Sequence, residues 1–398
     1  MNSRLRHLAI DLTPLLPGAA NGGAKPVALE LVRALSAASP SLRITLLSLQ
    51  RSEVELSAMA SGTLALRVVD SPPQAGWTAR LARGLMALRP QTHLLHRLGA
   101  DLYFCPFTAP FFDARGVPCV SLFHDLQYRS YPEFFTAADR AERDTHAGDA
   151  ARKAARLIAP SEFVKNELIE FLKAPAERIA VIPHGTHRRF GHPAPQAATA
   201  LLDRLELRKG EYYLYPANAW QHKNHRMLLV ALARRERQAP ATNWRVVLTG
   251  AEDAASTEIV SAARAMGLGQ RIVHAGYLAD PDFAHLLASS RALLFPSLYE
   301  GFGMPVIEAM EAGVPVLCSN TTSLPEVTGG AAFLFDPRKP DDIAAAMDKL
   351  EREPGLPERL SLLGRTRAAT IGGAAAMAQR YLAVFDQALG VQAPEHAA

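Results

Sequence analysis

The chain has 398 residues, of which 48% are apolar, 21% charged and 7% aromatic. Those proportions exclude a generally disordered chain, and at about 150 residues per domain the length predicts two domains. The formal net charge of +4 is too small to indicate nucleic acid by itself, and the sequence carries no nucleic-acid-binding motif. The charge is uneven. Residues 1–190 contain 23 Lys and Arg against 17 Asp and Glu, so the positive excess lies in the first half.

The three cysteines, Cys105, Cys119 and Cys318, are widely spaced and lie in apolar runs. An odd number without a C-x-x-C pair argues against a disulfide framework and against structural zinc, so buried free thiols are predicted. The N-terminal residues run into a strand instead of a signal-peptide hydrophobic region, and no run of about 18 apolar residues predicts a membrane-spanning helix. We expect a cytoplasmic protein, either soluble or peripheral to a membrane.

Short apolar runs alternate with longer amphipathic segments along the whole chain. In the first half, this pattern predicts strands at 8–12, 43–49, 66–69, 102–105, 119–123, 156–159 and 179–182, and helices at 26–38, 78–88, 137–155 and 162–172. A Pro-, His- and Ala-rich stretch at 183–196 and a short helical connection at 201–207 follow. The second half predicts strands at 212–215, 245–249, 272–274, 292–295, 315–318 and 332–335, and helices at 225–237, 257–266, 282–289, 305–312, 341–350, 357–369 and 374–389.

Strands that alternate with helices predict parallel sheets covered by helices on both faces. The predicted fold class is therefore α/β, with two Rossmann-like, doubly wound parallel-sheet domains at about 1–190 and 205–372. In such sheets, ligands bind beyond the carboxyl ends of the strands. Two such domains are expected to face each other across a ligand-binding cleft.

The most informative segment follows the predicted strand at 292–295. There, a loop carries Glu300, two glycines follow at 301 and 303, and Pro305 marks the start of a helix that contains Glu308. The backbone N–H groups of Gly303, Met304 and Val306 at the start of this helix are predicted to be unpaired, and such groups favour a phosphate or carboxylate. Glycines permit close approach of a ligand. An acid inside the helix suits hydrogen bonding to a diol such as a ribose.

Three further loops follow predicted strands. Asn218 and Lys223 lie after the strand at 212–215, and Lys223 is a suitable point charge for a diphosphate. His124 and the adjacent Asp125 close the strand at 119–123, where a carboxylate could orient an imidazole. The turn after the first strand contains Gly22 and Gly23, which alone indicate little because neither a dinucleotide fingerprint nor a Walker lysine is present.

Glu300 and Glu308 match the E-x7-E motif, and this segment resembles retaining, nucleotide-sugar-dependent glycosyltransferases of family 4, which have the GT-B fold. The resemblance extends over most of the chain in the order glycine loop, His-Asp pair, Lys loop and E-x7-E. It implies that the helix at 373–390 crosses back to the first domain. One departure is Asn218, which stands where the family has an Arg five residues before the Lys.

The resemblance also implies a role for each matching residue. Glu300 would lie against the donor sugar, His124 beside the developing positive charge, and Lys223 against the leaving diphosphate. Glu308 would hold the ribose, and no metal is implied because His222 and His225 have no further ligand nearby in the sequence. The remaining donor-binding residues would be Gly22, Gly23, Asn218, Gly301, Phe302, Gly303, Met304 and Pro305.

The expected function is retaining transfer of a sugar, with mannose from GDP-mannose as the first hypothesis, to a saccharide or lipid-linked acceptor in surface polysaccharide synthesis. The expected partners are a nucleotide sugar and this acceptor, with no cofactor. Two alternatives remain open: a sugar-nucleotide epimerase of the same fold, and a non-catalytic protein that binds a sugar nucleotide or a lipid carrier. Turnover that releases nucleotide only with acceptor would distinguish a transferase from both.

A segment without acidic residues spans 71–100. It contains Trp77, Arg80, Arg83, Arg89 and Arg97, with leucines at three- and four-residue steps. A basic amphipathic surface is typical of a peripheral membrane site, and a core-facing helix with a solvated basic face explains the pattern equally well. The membrane interpretation would place the protein at the inner face of the cytoplasmic membrane.

Overall fold

A computed structural model describes residues 4–18, 21–69, 94–112, 114–185, 195–238 and 243–390. Two compact units share the chain. The first comprises Met1–Pro183 and Ala374–Ala398, and the second comprises His184–Gly373. Each unit is built on one parallel sheet.

The sheet of the first unit has seven strands in the order β3-β2-β1-β4-β5-β6-β7. Every pairing between neighbouring strands is parallel. Side chains alternate between the two faces, so Leu8 and Ile10 enter one core while Ala9 enters the other. The strands are His7–Asp11 (β1), Arg43–Leu49 (β2), Leu64–Val69 (β3), Leu102–Cys105 (β4), Cys119–Leu122 (β5), Arg156–Ala159 (β6) and Ile179–Val181 (β7).

Helices cover both faces of this sheet, which explains why its strands are almost continuously apolar. The last helix of the chain belongs here: Tyr381 and Phe385 pack against Phe104 of β4, with ring centroids 5.6 and 5.3 Å away. The helices are Ala24–Ala38 (α1), Glu53–Ser57 (α2), Leu94–Leu98 (α3), Gln127–Ser130 (α4), Ala137–Lys153 (α5), Glu162–Leu172 (α6) and, near the C-terminus, Ala374–Leu389 (α15).

The sheet of the second unit has six parallel strands in the order β10-β9-β8-β11-β12-β13. Its strands are Tyr212–Pro216 (β8), Arg245–Thr249 (β9), Ile272–His274 (β10), Ala292–Phe295 (β11), Val316–Ser319 (β12) and Phe333–Phe335 (β13). Its helices are Pro195–Arg204 (α7), His225–Gln238 (α8), Ala254–Ala265 (α9), Asp280–Ala288 (α10), Met304–Glu311 (α11), Leu324–Thr328 (α12), Pro340–Arg352 (α13) and Leu356–Ile371 (α14).

The predicted α/β class with two doubly wound parallel sheets is confirmed. In each sheet the strand order reverses once, between β1 and β4 in the first unit and between β8 and β11 in the second. The carboxyl ends of the strands at such a reversal flank the crevice where doubly wound sheets bind ligands. A ligand-binding site in the second unit is therefore expected at the loops after β8 and β11.

All three cysteines are free and buried, as predicted. Cys105 and Cys119 lie on the neighbouring strands β4 and β5, with their sulfurs 3.8 Å apart. In the part of the chain that the structure describes, no helix is long and apolar enough to cross a membrane.

The basic segment at 71–100 lies mostly outside the described residues, which resume at Leu94. From there α3 buries Leu95 in the same core of the first unit as Ala9. His96 donates a hydrogen bond from Nε2 to the carbonyl of Arg115 at 2.8 Å. The predicted helix at 78–88 falls outside the described residues.

Candidate active site

An ion pair joins the two loops at the strand reversal of the second unit. The Nζ atom of Lys223, in the loop after β8, lies 2.6 Å from Oε1 of Glu300, in the loop after β11. The two side chains are only 14% and 11% exposed. Both residues were predicted as site residues, and the fold brings them together although they are 77 positions apart in the chain.

The Lys223 loop is held in place by hydrogen bonds from several sides. The Tyr215 hydroxyl donates to the carbonyl of Lys223, and the amide of Leu298 donates to the carbonyl of His222 at 2.7 Å. Asn224 has a left-handed backbone, and its side-chain amide donates to the carbonyls of Pro296 and Pro337 at 3.0 and 2.8 Å. The ammonium group is therefore presented from a fixed backbone, and little ordering is left to be done when a ligand binds.

The Glu300 loop is supported in turn by the loop after β12. The amide of Glu300 donates to Oγ1 of Thr322 at 3.1 Å, and the hydroxyl of Ser323 donates to the carbonyl of Glu300 at 2.8 Å. Thr322 has a φ of 55°, which is uncommon for a residue with a branched side chain. These bonds fix the backbone from which the Glu300 carboxylate reaches Lys223.

The helix after Glu300 begins with a left-handed glycine. Gly303 has a φ of 90° and precedes α11, and a Cβ added at Gly303 would lie 2.6 Å from Cδ2 of Leu324. The turn therefore requires glycine for both backbone and space. Met304 and Pro305 start the helix and are partly exposed, as a ligand at this end would need.

One expectation about this helix is wrong. The amide of Val306 was predicted to be unpaired, but it donates to the carbonyl of Gly303 at 2.9 Å. A tight first turn uses that donor, and Pro305 has none.

The other matched residues of α11 and its loop are mostly buried. Phe302 is 5% exposed and packs edge-on against His184, with ring centroids 5.2 Å apart. Glu308 is 4% exposed in the second turn of the helix. Gly301 lies partly exposed between Glu300 and Phe302.

Asn218, at the position where the family has an Arg, supports the backbone of the sheet edge. Its Oδ1 atom accepts a hydrogen bond from the amide of Ala251 at 2.9 Å and so ties the loop after β8 to the loop after β9. A Cβ at Gly250 would lie 2.8 Å from the carbonyl oxygen of Ala217 and 3.0 Å from Oδ1 of Asn218, which explains the glycine there. Asn218 thus has a structural partner that an Arg would not reproduce.

Two histidines beside the ion pair are held uncharged. Burial, with the nearby positive charge of Lys223, lowers the pKa of His222 to about 3 and the pKa of His225 to about 4. The His225 ring lies 4.7 Å from the Tyr215 ring. Lys223 therefore supplies positive charge to this part of the site, and the two imidazoles do not at neutral pH.

In the first unit, the loop after β5 places His124 at the carboxyl edge of the sheet. Its Nε2 donates to the carbonyl of Pro106 at 2.8 Å, and burial lowers its pKa. Asp125 accepts at Oδ1 from the amide of Gln127 at 3.1 Å and so orders the start of α4. This contact of the Asp125 carboxylate is with the backbone at the end of its own loop.

The predicted glycine turn precedes α1 in the same unit. Gly22 has a φ of 53°, and a Cβ at Gly23 would meet open space. Asn21 holds the turn by accepting from the amide of Leu16 at 2.6 Å. Lys25 donates to the carbonyls of Leu16 and Gly18 and pairs with Glu55 at 2.6 Å.

The sequence analysis missed a buried carboxylate at the end of β1. Asp11 accepts from the Tyr103 hydroxyl, from Thr13 and from the amide of Phe111. Because Tyr103 in turn accepts from the amide of Phe112, the pair holds the loop after β4 at the strand reversal of the first sheet. The sequence indicated this role only by one acidic residue, Asp11, at the end of an apolar strand.

Solved structures with the same architecture define the fold. A sucrose-phosphate synthase from Thermosynechococcus elongatus matches with a TM-score of 0.77 at 19% identity, over 97% of this chain and 99% of that chain. Anabaena HepE, solved with UDP and glucose, matches with a TM-score of 0.74 at 18% identity, over 96% and 100%. The two sheets thus form the GT-B fold.

Sequence comparison gives the family. The model for glycosyl transferases group 1 matches residues 203–367, and the model for Glycosyltransferase Family 4 matches residues 21–189. With both halves matched, the chain belongs to the group 1, family 4 glycosyltransferases. It is 33% identical to the O-antigen chain mannosyltransferase B of Escherichia coli over 232 residues, which are 57% of this chain and 59% of that protein.

Proposed function

We propose that the protein transfers a sugar, mannose in the first instance, from a nucleoside diphosphate sugar to a hydroxyl of a saccharide or lipid-linked acceptor, with retention of configuration. The observation that carries this proposal is the Lys223–Glu300 pair at the strand reversal of the second sheet, beside the start of α11. Family membership and the likeness to an O-antigen mannosyltransferase support the class of reaction and the choice of mannose, with GDP-mannose as the donor to be tested first.

The chemistry follows from the charges. As the bond between the anomeric carbon and the diphosphate breaks, the sugar becomes oxocarbenium-like and the leaving group gains negative charge. The Lys223 ammonium and the first turn of α11 stabilise that negative charge, so the proposed reaction needs no metal. Glu300 positions the sugar, and Glu308 holds the ribose. The leaving phosphate accepts the proton of the acceptor hydroxyl on the same face, which retains the configuration.

The test is a thermal-shift screen against GDP, UDP, ADP and their sugars, followed by product analysis with the donor that stabilises the protein most. We expect GDP-mannose to be selected and transfer to continue in EDTA. NMR of the product should show the anomeric configuration of the donor. Inversion would contradict the retaining mechanism, and nucleotide released without transfer would contradict the transferase.

We also propose that the protein works in the cytoplasm at the inner face of the membrane, where the acid-free basic segment at 71–100 contacts anionic lipid. Replacing Arg80, Arg83 and Arg97 with Glu should reduce sedimentation with vesicles that contain an anionic phospholipid. The matched control replaces the exposed Arg143, Arg152 and Lys153 of α5 with Glu. Equal sedimentation of both variants with the unchanged protein would contradict the proposal.

A further inference from the structure

The loop after β8 exposes an aromatic side chain next to the ion pair. Trp220 is 44% exposed, whereas Trp244 of the same unit is fully buried. Burial of an indole ring stabilises a folded protein, and an exposed indole does not contribute that stabilisation. Its position three residues before Lys223 sets it apart from exposed aliphatic residues elsewhere in the unit.

The backbone around Trp220 is fixed. Its amide donates to the carbonyl of Asn218 at 2.7 Å, and its own carbonyl accepts from the amide of Lys223 at 2.9 Å. The bonds of Tyr215, Asn224 and Leu298 to the residues that follow hold the same loop. The indole is therefore presented in one backbone geometry, as a preorganised binding surface requires.

His222 extends this surface. Its ring centroid lies 5.8 Å from that of Trp220, with the ring planes tilted by 35°. The imidazole is uncharged at neutral pH, because its pKa is about 3. The two rings form an uncharged aromatic surface with polar nitrogen atoms at its rim, which offers no positive charge to a phosphate.

A pyranose ring fits such a surface. It has an apolar face of C–H groups and a rim of hydroxyls, so an aromatic ring can cover the face while polar atoms at the edge bond the rim. The carbonyl of His222 bonds the amide of Leu298, two residues before Glu300, so this surface adjoins the loop assigned to the sugar end of the donor.

We propose that Trp220, extended by His222, is a stacking platform for a pyranose ring beside the Lys223–Glu300 pair. The inference rests on the proposed function. Two sources supply such a ring, the donor sugar and the terminal sugar of the acceptor, and the platform serves either by the same contacts.

The first test measures steady-state kinetics of Trp220→Ala, Trp220→Phe and the control Leu363→Ala, whose side chain is similarly exposed at 42%. We expect Trp220→Ala to raise one KM by roughly ten-fold or more and Trp220→Phe to restore most of it. A rise in the acceptor KM would mean that the acceptor sugar stacks on Trp220. A rise in the donor KM with unchanged GDP affinity would mean that the donor sugar does. Kinetics indistinguishable from Leu363→Ala overturn the platform.

The second test does not depend on turnover and so separates failure of the platform from failure of the proposed function. Tryptophan fluorescence is titrated with methyl α-mannopyranoside, GDP and GDP-mannose in the unchanged protein and in Trp220→Phe. We expect a Trp220-dependent change with the glycoside or with GDP-mannose and not with GDP. The same change with GDP alone would assign Trp220 to the nucleotide and overturn the sugar platform, and no Trp220-dependent change with any of the three would overturn it as well.

Discussion

At the scale of single residues, the central feature is that Lys223 and Glu300 bond each other in the free protein. A carboxylate that occupies the ammonium competes with an incoming diphosphate for the same positive charge. The residues were identified from the sequence because each follows a strand in a recognisable motif. Their contact was not predicted, because it depends on β8 and β11 being neighbours, and that order is a property of the fold.

Lys223→Met should lower the affinity for GDP by roughly ten- to a hundred-fold, since a charge-assisted hydrogen bond of about 1.5–3 kcal/mol is lost. Glu300→Gln should slow transfer strongly without lowering the affinity for GDP, because Lys223 loses the carboxylate that competes with the diphosphate. Calorimetry with GDP and initial rates measure the two effects. Lys339→Met, which removes an exposed lysine of the same unit, is the control. A parallel fall in GDP affinity in Glu300→Gln would contradict this division of roles.

His225 should make stability depend on pH. Its folded-state pKa of about 4 lies below the ordinary 6.5 because of burial, Lys223 and His274, so the unfolded chain binds more protons between those values. The contribution of His225 to the free energy of unfolding is present above pH 6.5 and is lost as the pH falls towards 4. The loss is at most about 1.4 kcal/mol per pH unit.

Urea unfolding at several pH values tests this expectation. The unfolding free energies of the unchanged protein and of His225→Gln should converge as the pH falls from 6.5 to 4. Gln387→Ala, which replaces an exposed side chain that does not titrate, should give a constant difference instead. A constant difference for His225→Gln as well would contradict the assignment.

At the scale of elements, the predicted strands lie within about two residues of the observed ones because buried parallel strands are short, continuous apolar runs. The helices α2, α3, α4 and α12 were not predicted. Each has only four or five residues, too few to show a helical period, and they form where surrounding structure completes them. The support of the Glu300 loop by Thr322 and Ser323 escaped prediction for the same reason, since it involves the turn just before α12.

Gly303→Ala should destabilise the second unit by about 2–5 kcal/mol. The left-handed backbone costs a side chain about 1–2 kcal/mol, and crowding against Leu324 adds about 1–3 kcal/mol. Gly330→Ala is a matched control, because its φ is 83° and a Cβ there would meet open space. In urea unfolding, Gly330→Ala should lower the free energy of unfolding by the backbone cost alone, about 1–2 kcal/mol. Equal losses in the two variants would mean that the contact with Leu324 relaxes freely.

At the scale of the whole molecule, each unit has its own core, and the first is completed by residues from both ends of the chain. Met377, Tyr381 and Phe385 of α15 belong to the same cluster as Leu8 and Ile10 of β1. The division into two α/β halves was readable from the sequence. Which half receives the last helix was implied only by the family resemblance, since an amphipathic pattern does not name its partner surface.

Phe385→Ala should destabilise the first unit by about 3–5 kcal/mol, because a fully buried ring between Phe104 and Tyr381 is lost. Hydrogen exchange measures this unit by unit. Amides of β4 should lose protection, while those of β11 should keep it. Replacing the exposed Gln387 of the same helix with Ala should change neither. Equal loss of protection in both sheets would mean that the two units unfold together.

The position of α15 also determines when the protein can fold during its synthesis. The first unit is interrupted after Pro183 and resumes only at Ala374, so a growing chain contains the entire second unit before the first can close its core. At about 5–20 residues per second, the intervening segment takes the ribosome roughly 10–40 s. During that interval the apolar surface that α15 will cover on α1, β4 and β5 is exposed on the nascent chain. The half made first is therefore the half that finishes folding last.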